Sequence, residues 1–187
     1  MDLLDLHRAA IDDHRALLAR LRPADFDLAT PCAGWTVRDL LRHQVEVALD
    51  YDARARDGQR RPWPDDDPVV AYSMANDLVV AAFRADGFLD RGAEFLNFGT
   101  QPGRVLVGAH FIDNLVHSWD VRRALGVDSA LDDDLAHAAY RVAARYPTTP
   151  DVRGPGAPFG PPVAVAEDAP ITDRLVALLG RSPDWRA

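Results

Sequence analysis

Four polar residues in one segment have a spacing that places them on one face of a helix. His110, Asp113, His117 and Asp120 are separated by three, four and three positions, so a helix brings them into line. Asp113 and His117, at positions i and i+4, can point at one atom, as when a helix supplies two ligands to a metal ion. A solvated polar face, or an Asp–His hydrogen bond that fixes helix packing, would give the same pattern.

A third candidate ligand comes from an earlier segment. His43 is in register with Leu40 and Val47, on an apolar helix face. In an antiparallel bundle, a His43 that faces the core can meet Asp113 and His117. Two histidines and one carboxylate commonly hold a divalent ion with open positions for water or substrate. The alternative is a core histidine satisfied by an ordinary hydrogen bond.

The neighbouring polar residues are weaker candidates. His110 is a candidate acid or base facing the substrate, or a hydrogen-bond partner of the carboxylate. Arg122 and Arg123 are candidates for binding an anionic substrate or cofactor, although arginines on a helix surface are usually solvated. Asp120 either orients a ligand or, as we expect, pairs with Arg123 or caps a neighbouring backbone group. Cys32 has no second cysteine or adjacent base, so we expect a buried, inert thiol. Three histidines on polar faces or in Ala-rich surroundings receive no role: His7, His14 and His137.

Two stretches of the chain resemble one protein family. Residues 30–43, TPCAGWTVRDLLRH, are similar to the TPCxGWxVRDLxxH signature of actinobacterial DinB-like proteins. These are metal-binding relatives of the N-terminal domain of mycothiol-dependent maleylpyruvate isomerase. Residues 117–124, HSWDVRRA, resemble that family's HGWDLARA stretch, and the C-terminal residues 159–161, 173–175 and 179–185 resemble its ending.

The resemblance implies a four-helix bundle of the DinB type with a divalent metal in its core. Carried over to this chain, the ligands are His43, Asp113 and His117, with Asp113 in place of the family's usual, longer glutamate. Zinc is the first expectation for such a donor set, with nickel, manganese or iron as alternatives. The resemblance further implies a mycothiol cofactor whose sulfur would bind the metal and attack an electrophilic carbon. We therefore expect a metal-dependent thiol transferase or isomerase whose partners are a small-molecule thiol and an electrophilic substrate.

Three other functions are compatible with the same residues. One is a non-catalytic metal- or ligand-binding bundle with a regulatory or stress-related role. Another is a structural dimer whose polar stripe is a hydrogen-bonded feature of the core. Hydrolysis by a metal-bound water is weaker, because the chain has no dedicated general base such as the glutamate of an HExxH motif.

Apolar periodicity predicts an all-α fold, a four-helix bundle with an extra short helix and a Pro-rich C-terminal arm. A capping box at Thr36–Asp39 opens the second helix, and one at Ser129–Asp132 is expected to open the fifth. We predict helices over residues 3–21, 37–56, 68–86, 102–125, 133–145 and 171–179. Residues 88–101 are either an irregular connection or a short strand. The expected division is a metal-binding bundle over residues 1–145, with the arm and short helix over 146–187 packed on it.

Composition narrows the class of protein. The 187 residues carry a net charge of −8 with no lysine and no basic cluster, which argues against binding nucleic acid or anionic membranes. The single cysteine excludes an internal disulfide and a multi-cysteine zinc site. The first residues lack the apolar run of a signal peptide, and no window approaches the roughly 18 apolar residues of a membrane span. We expect a cytoplasmic protein, and a homodimer is compatible with the sequence.

Overall fold

Helices dominate the chain, as the periodicity predicts. The computed structural model describes residues 1–95, 98–154 and 157–186. In those ranges the helices are α1 (Leu3–Leu18), α2 (Val37–Ala55), α3 (Pro68–Phe83), α4 (Gly103–Ala124), α5 (Asp133–Ala143) and α6 (Ile171–Leu178), and the strands are β1 (Gly92–Glu94) and β2 (Thr100–Pro102). The predicted all-α bundle of the DinB type is confirmed.

The predicted start of α2 is confirmed, and that of α5 needs correction. The Thr36 hydroxyl accepts a hydrogen bond from the Asp39 backbone N–H at 3.2 Å, and the Asp39 carboxylate accepts one from the Thr36 N–H at 3.0 Å. At α5 the N-cap is Asp132, whose carboxylate accepts from the Leu135 N–H at 3.0 Å. The capping box expected from Ser129 is therefore wrong, since a single Asp directly before the helix satisfies the free N–H group.

A short hairpin occupies the segment for which the sequence left two alternatives. Strands β1 and β2 pair antiparallel, with Gly92 opposite Pro102 and Glu94 opposite Thr100. Residues 96 and 97 of this segment lie outside the described residues. The second strand runs directly into α4, so the hairpin fixes where the longest helix begins.

Helix α4 lies at the centre of the molecule. Helices α1 and α2 pack against it, α3 packs against α1 and α2, and the pair α5 and α6 forms a further layer in which α5 contacts α4. One apolar core fills the bundle, and a second lies between α4 and the α5–α6 pair. Because α4 is covered on nearly all sides, its polar side chains must find partners inside the protein. No helix in the described ranges combines the length and apolar character needed to cross a membrane.

Two histidines of α1 are buried, although the sequence predicts polar faces or Ala-rich surroundings for them. His7 and His14 lie with Ile11 on the covered face of the helix. The Nε2 atom of His7 is 2.8 Å from Nδ1 of His110, and Nδ1 of His14 is 3.3 Å from the Gln44 side-chain nitrogen. The expectation of polar faces is wrong here because these imidazoles find hydrogen-bond partners within the bundle.

The Pro-rich arm is anchored to the last two helices. The Arg153 guanidinium is buried and donates to the backbone carbonyls of Leu178 and Ala143. The Val163 N–H donates to the Ala177 carbonyl at 2.9 Å. Residues 155 and 156 lie outside the described residues, and the domain boundary at residue 146 stays a prediction.

Candidate metal centre

Helices α2 and α4 bring the three predicted ligands together. Oδ1 of Asp113 lies 3.6 Å from Nε2 of His43 and 3.5 Å from Nε2 of His117. One ligand atom from each residue falls within 4.8 Å of the other two. The two imidazole rings meet edge-on with their centroids 5.3 Å apart. The structure thus assembles the residues that the sequence nominates, while metal binding itself stays a prediction.

The separations within this trio match metal coordination better than hydrogen bonding. Two ligands about 2.1 Å from a zinc ion at the tetrahedral angle are about 3.4 Å apart, whereas N–H···O bonds span about 2.7–3.2 Å. The Asp113 contacts, at 3.5 and 3.6 Å, lie near the first value. The second oxygen of Asp113, Oδ2, is buried without a hydrogen-bond partner among the described residues. A cation therefore fits the donor set formed by these three side chains.

The protonation states of Asp113 and His117 depend on each other. Burial alone would raise the pKa of Asp113, but the neighbouring His117 and His43 lower it well below the usual value. Burial would lower the pKa of His117, but the charge of Asp113 and the hydrogen bond to Asp120 raise it well above the usual value. Both shifts favour the charged forms of the pair, and a metal ion would compete with a proton for Nε2 of His117.

The segment before α2 forms a tight turn that places the Trp35 side chain beside the trio. The Trp35 N–H donates to the Cys32 carbonyl at 2.9 Å, and the Thr30 N–H donates to the Trp35 carbonyl at 2.9 Å. Gly34 adopts a φ of 79°, which favours glycine at this position of the turn. The Trp35 ring consequently lies 4.9 Å from the ring of His43, centroid to centroid.

The trio is accessible from one side. An open depression of about 400 Å³ lies beside His43, and neither Asp113 nor His117 is among its lining residues. Its lining residues are Gly34, Trp35, Asp39, Arg42, His43 and Glu46. The exposed fraction of the side chain is 34% for His43, 22% for Asp113 and 7% for His117. A small molecule can therefore approach from the His43 side, while His117 stays in the interior.

A second polar group lies behind His117. Nδ1 of His117 is 2.8 Å from Oδ2 of Asp120, and the same oxygen accepts from the Cys32 thiol at 3.4 Å and from the Arg181 guanidinium at 3.2 Å. Burial would raise the pKa of Asp120, but Arg181 and His117 lower it. The expected pairing of Asp120 with Arg123 is wrong, because Arg181 occupies that place.

Arg181 is the site residue that the sequence analysis did not single out. Its side chain is 14% exposed and reaches the centre from the segment after α6. The one available signal was the similarity of residues 179–185 to the ending of the DinB-like family. Cys32, for which the sequence predicts a buried thiol, is only partly buried.

The part of the chain that holds the trio also matches a known family. The family described as "Mycothiol maleylpyruvate isomerase N-terminal domain" matches residues 7–122, which is more than half of the chain. The chain belongs to this family. The match covers most of α1 through α4 and includes His43, Asp113 and His117.

Two related proteins match this chain over almost its whole length. Two uncharacterized proteins, from two strains of Mycobacterium tuberculosis, are each 35% identical to it over 182 residues. The similarity covers 97% of this chain and 99% of each relative. It therefore extends beyond the family match into the segments that form α5 and α6.

In this family member, His110 lies one turn before Asp113 with its ring in the core. The residue is 1% exposed, its Nδ1 is 2.8 Å from Nε2 of His7, and its ring centroid is 5.1 Å from that of Tyr51. Burial lowers the pKa of His110 to about 4, so the ring is neutral at physiological pH. This placement does not favour an acid or base that faces the substrate, and that role stays a prediction.

The two arginines nominated for anion binding have partners within the protein. Arg122 contacts both carboxylate oxygens of Asp13 at 2.9 Å. The Arg123 guanidinium donates to the Trp185 carbonyl and lies 5.6 Å from the centroid of the Trp119 ring. Binding of an anionic substrate or cofactor by Arg122 and Arg123 stays a prediction, and it would require these contacts to break.

Proposed function

We propose that this protein binds a divalent metal ion in its helix bundle and uses it to activate a small-molecule thiol. The thiol would be mycothiol or a close analogue, and the reaction its transfer to a small electrophile or a thiol-assisted isomerisation. The observation that carries the proposal is Oδ1 of Asp113 at coordination spacing from Nε2 of both His43 and His117. Membership of the mycothiol maleylpyruvate isomerase N-terminal domain family supports the choice of thiol.

The three side chains have separate parts in this proposal. His43 and His117 would supply two imidazole nitrogens, and Asp113 a carboxylate whose charge balances the cation. A divalent metal held this way lowers the pKa of a bound thiol, so that the thiolate exists at neutral pH. Zinc suits the donor set best, with nickel, manganese and iron as alternatives. The partial exposure of His43 leaves one side open to the thiol and the electrophile.

The reaction would take place in the cytoplasm. A catalytic small-molecule thiol must stay reduced, and reducing conditions are typical of that compartment. The depression beside His43 is large enough for one small substrate. It contains acidic and basic residues, Asp39, Glu46 and Arg42, that can contact polar groups of the substrate.

Metal content is the first test. Purified protein, stripped of metal and incubated with zinc, should retain about one ion per chain. Asp113→Ala and His117→Ala should lose it, whereas His137→Ala, a change at an exposed histidine, should retain it. Elemental analysis and calorimetric titration measure the stoichiometry. Equal zinc content in the wild type and both ligand variants would refute the site.

Thiol reactivity is the second test, made on protein already shown to bind metal. The loaded protein should accelerate the reaction of mycothiol with an electrophile or the mycothiol-dependent isomerisation of maleylpyruvate, and His117→Ala should abolish the acceleration. Metal binding without any thiol reactivity would refute the catalytic proposal and favour the non-catalytic metal-binding bundle.

A further inference from the structure

One buried carboxylate oxygen of Asp120 has three hydrogen-bond partners. Oδ2 of Asp120 lies 2.8 Å from Nδ1 of His117, 3.2 Å from Nη2 of Arg181 and 3.4 Å from Sγ of Cys32. A guanidinium can only donate, and a thiol donates through its S–H group. The oxygen is therefore an acceptor towards all its partners, and Nδ1 of His117 must carry a proton to bond with it.

The cluster formed by Cys32, His117 and Asp120 is not a second metal site. Its ligand atoms lie close enough together to hold an ion, but the Arg181 guanidinium is already 3.2 Å from Asp120 and 3.7 Å from the Cys32 sulfur. This positive group already balances the charge of the Asp120 carboxylate, and it would repel a cation. Any effect of Asp120 on the candidate metal site must therefore pass through its hydrogen bond to His117.

We propose that Asp120 and Arg181 are positioning residues, which hold the His117 ring with Nδ1 protonated and Nε2 directed at Asp113 and His43. A neutral imidazole carries one N–H, so a proton fixed on Nδ1 leaves the Nε2 lone pair for a metal. The Nε2 atom lies 3.5 Å from Asp113, on the side of the candidate ligands. The inference rests on the proposed metal site and adds that the C-terminal segment completes it.

The path of the C-terminal segment explains how Arg181 reaches this position. Gly180, directly before it, adopts a φ of 83°, a left-handed conformation that favours glycine. A Cβ atom at Gly180 would lie 2.7 Å from the Cα atom of Gly160 in the arm. The arm and the tail thus cross at two glycines, and this crossing sets the direction in which the arginine extends.

Zinc affinity, measured by competition with a chromophoric chelator, tests the inference. Asp120→Asn and Arg181→Met should each weaken zinc binding by about ten- to hundredfold, as removal of such outer partners does elsewhere. Arg181→Lys keeps a donor and the charge, and should restore most of the affinity. In the cobalt-loaded protein the visible absorption bands should shift in Asp120→Asn, because the His117 ring changes its orientation.

Asp52→Asn is the matched control. Asp52 is also a buried carboxylate held by arginines, with Arg56 at 2.8 Å and Arg61 at 3.0 Å. It lies nine positions after His43 on α2, about 13 Å along the helix. This variant should lose folding stability but retain wild-type zinc affinity and cobalt spectrum. If Asp120→Asn does not fold, the comparison of Arg181→Met with Arg181→Lys still tests the inference. Arg181 lies at the edge of the site, so its replacement should disturb the fold less.

The outcomes separate the two proposals. Wild-type zinc affinity in both Asp120→Asn and Arg181→Met, together with loss of zinc in His117→Ala, would overturn the positioning role and leave the metal site standing. A wild-type protein that binds no zinc would overturn both. Both proposals would be supported by weaker zinc binding in Asp120→Asn and Arg181→Met, recovery of the affinity in Arg181→Lys, and wild-type affinity in Asp52→Asn.

Discussion

Acidification should destabilise this protein through the three imidazoles buried in its bundle. Burial lowers the pKa of His14 to about 3 and of His110 to about 4, and it lowers the pKa of His7 well below the usual value. The unfolded chain binds a proton at each histidine near pH 6.5, whereas the folded chain does not. Stability must therefore fall as the pH drops below about 6.5, and continue to fall towards the folded pKa values.

The expected loss is large. A histidine that stays neutral in the folded protein lowers the free energy of unfolding by about 1.4 kcal/mol for each pH unit below its unfolded pKa. Between pH 7 and pH 5 this amounts to about 2 kcal/mol for each ring and about 6 kcal/mol for all three. The free energy of unfolding of a typical domain is about 5–15 kcal/mol. The expected loss is thus comparable with the whole free energy of unfolding of a domain at the lower end of this range.

The other shifted groups do not reverse this loss. The raised pKa of His117 gives a contribution that is fully present below about pH 6.5 and is lost only as the pH rises through the folded pKa. The lowered pKa values of Asp113 and Asp120 give contributions that are lost only below the usual carboxylate range. Neither change removes stability between pH 7 and pH 5.

Urea unfolding of metal-free protein, followed by circular dichroism at pH 7 and pH 5, measures the effect. His14→Gln removes one titrating ring, so the variant should lose about 2 kcal/mol less than the wild type over this interval. His137→Gln, a change at an exposed histidine, should follow the wild type. Parallel stability profiles for the wild type and His14→Gln would refute the reasoning.

Three further substitutions test the packing around α4, each by urea unfolding at pH 7. Tyr72→Phe removes the hydroxyl that donates to Oδ1 of Asn114 at 2.6 Å, and should cost about 1–2 kcal/mol; an unchanged midpoint would contradict this. Gly103→Ala places a Cβ atom against the Phe88 carbonyl oxygen, so the backbone must move at a cost of about 2 kcal/mol. Trp119→Ala empties a fully buried position and should cost about 3–5 kcal/mol. A loss below about 1 kcal/mol in either of these two variants would mean that the region repacks easily.

Several features of the fold and site were readable from the sequence because they depend on local geometry. The capping box at Thr36 needs only residues three positions apart, and it starts α2 as predicted. The i and i+4 spacing of Asp113 and His117 places them together on any helix. The apolar register of His43 directs it towards α4 once α2 packs there.

Other features depend on which elements cover a given face, and the local pattern does not contain that information. For His7 and His14 the local pattern indicates polar faces or Ala-rich surroundings, whereas in the fold α4 and α2 supply hydrogen-bond partners for their buried rings. The contact of Asp120 with Cys32 joins positions 88 residues apart, and its contact with Arg181 joins positions 61 residues apart.

Helical periodicity specifies the direction of a side chain relative to its own helix axis and nothing about distant segments. The ligand trio could be read from the sequence because two of its members share one helix and the third lies on an apolar face. The group behind His117 could not be read in this way, because it needs a turn before α2 and a tail after α6 to meet at one oxygen of α4. Only the packing of those segments brings the Cys32 thiol and the Arg181 guanidinium to Asp120, whereas His117 already shares its helix.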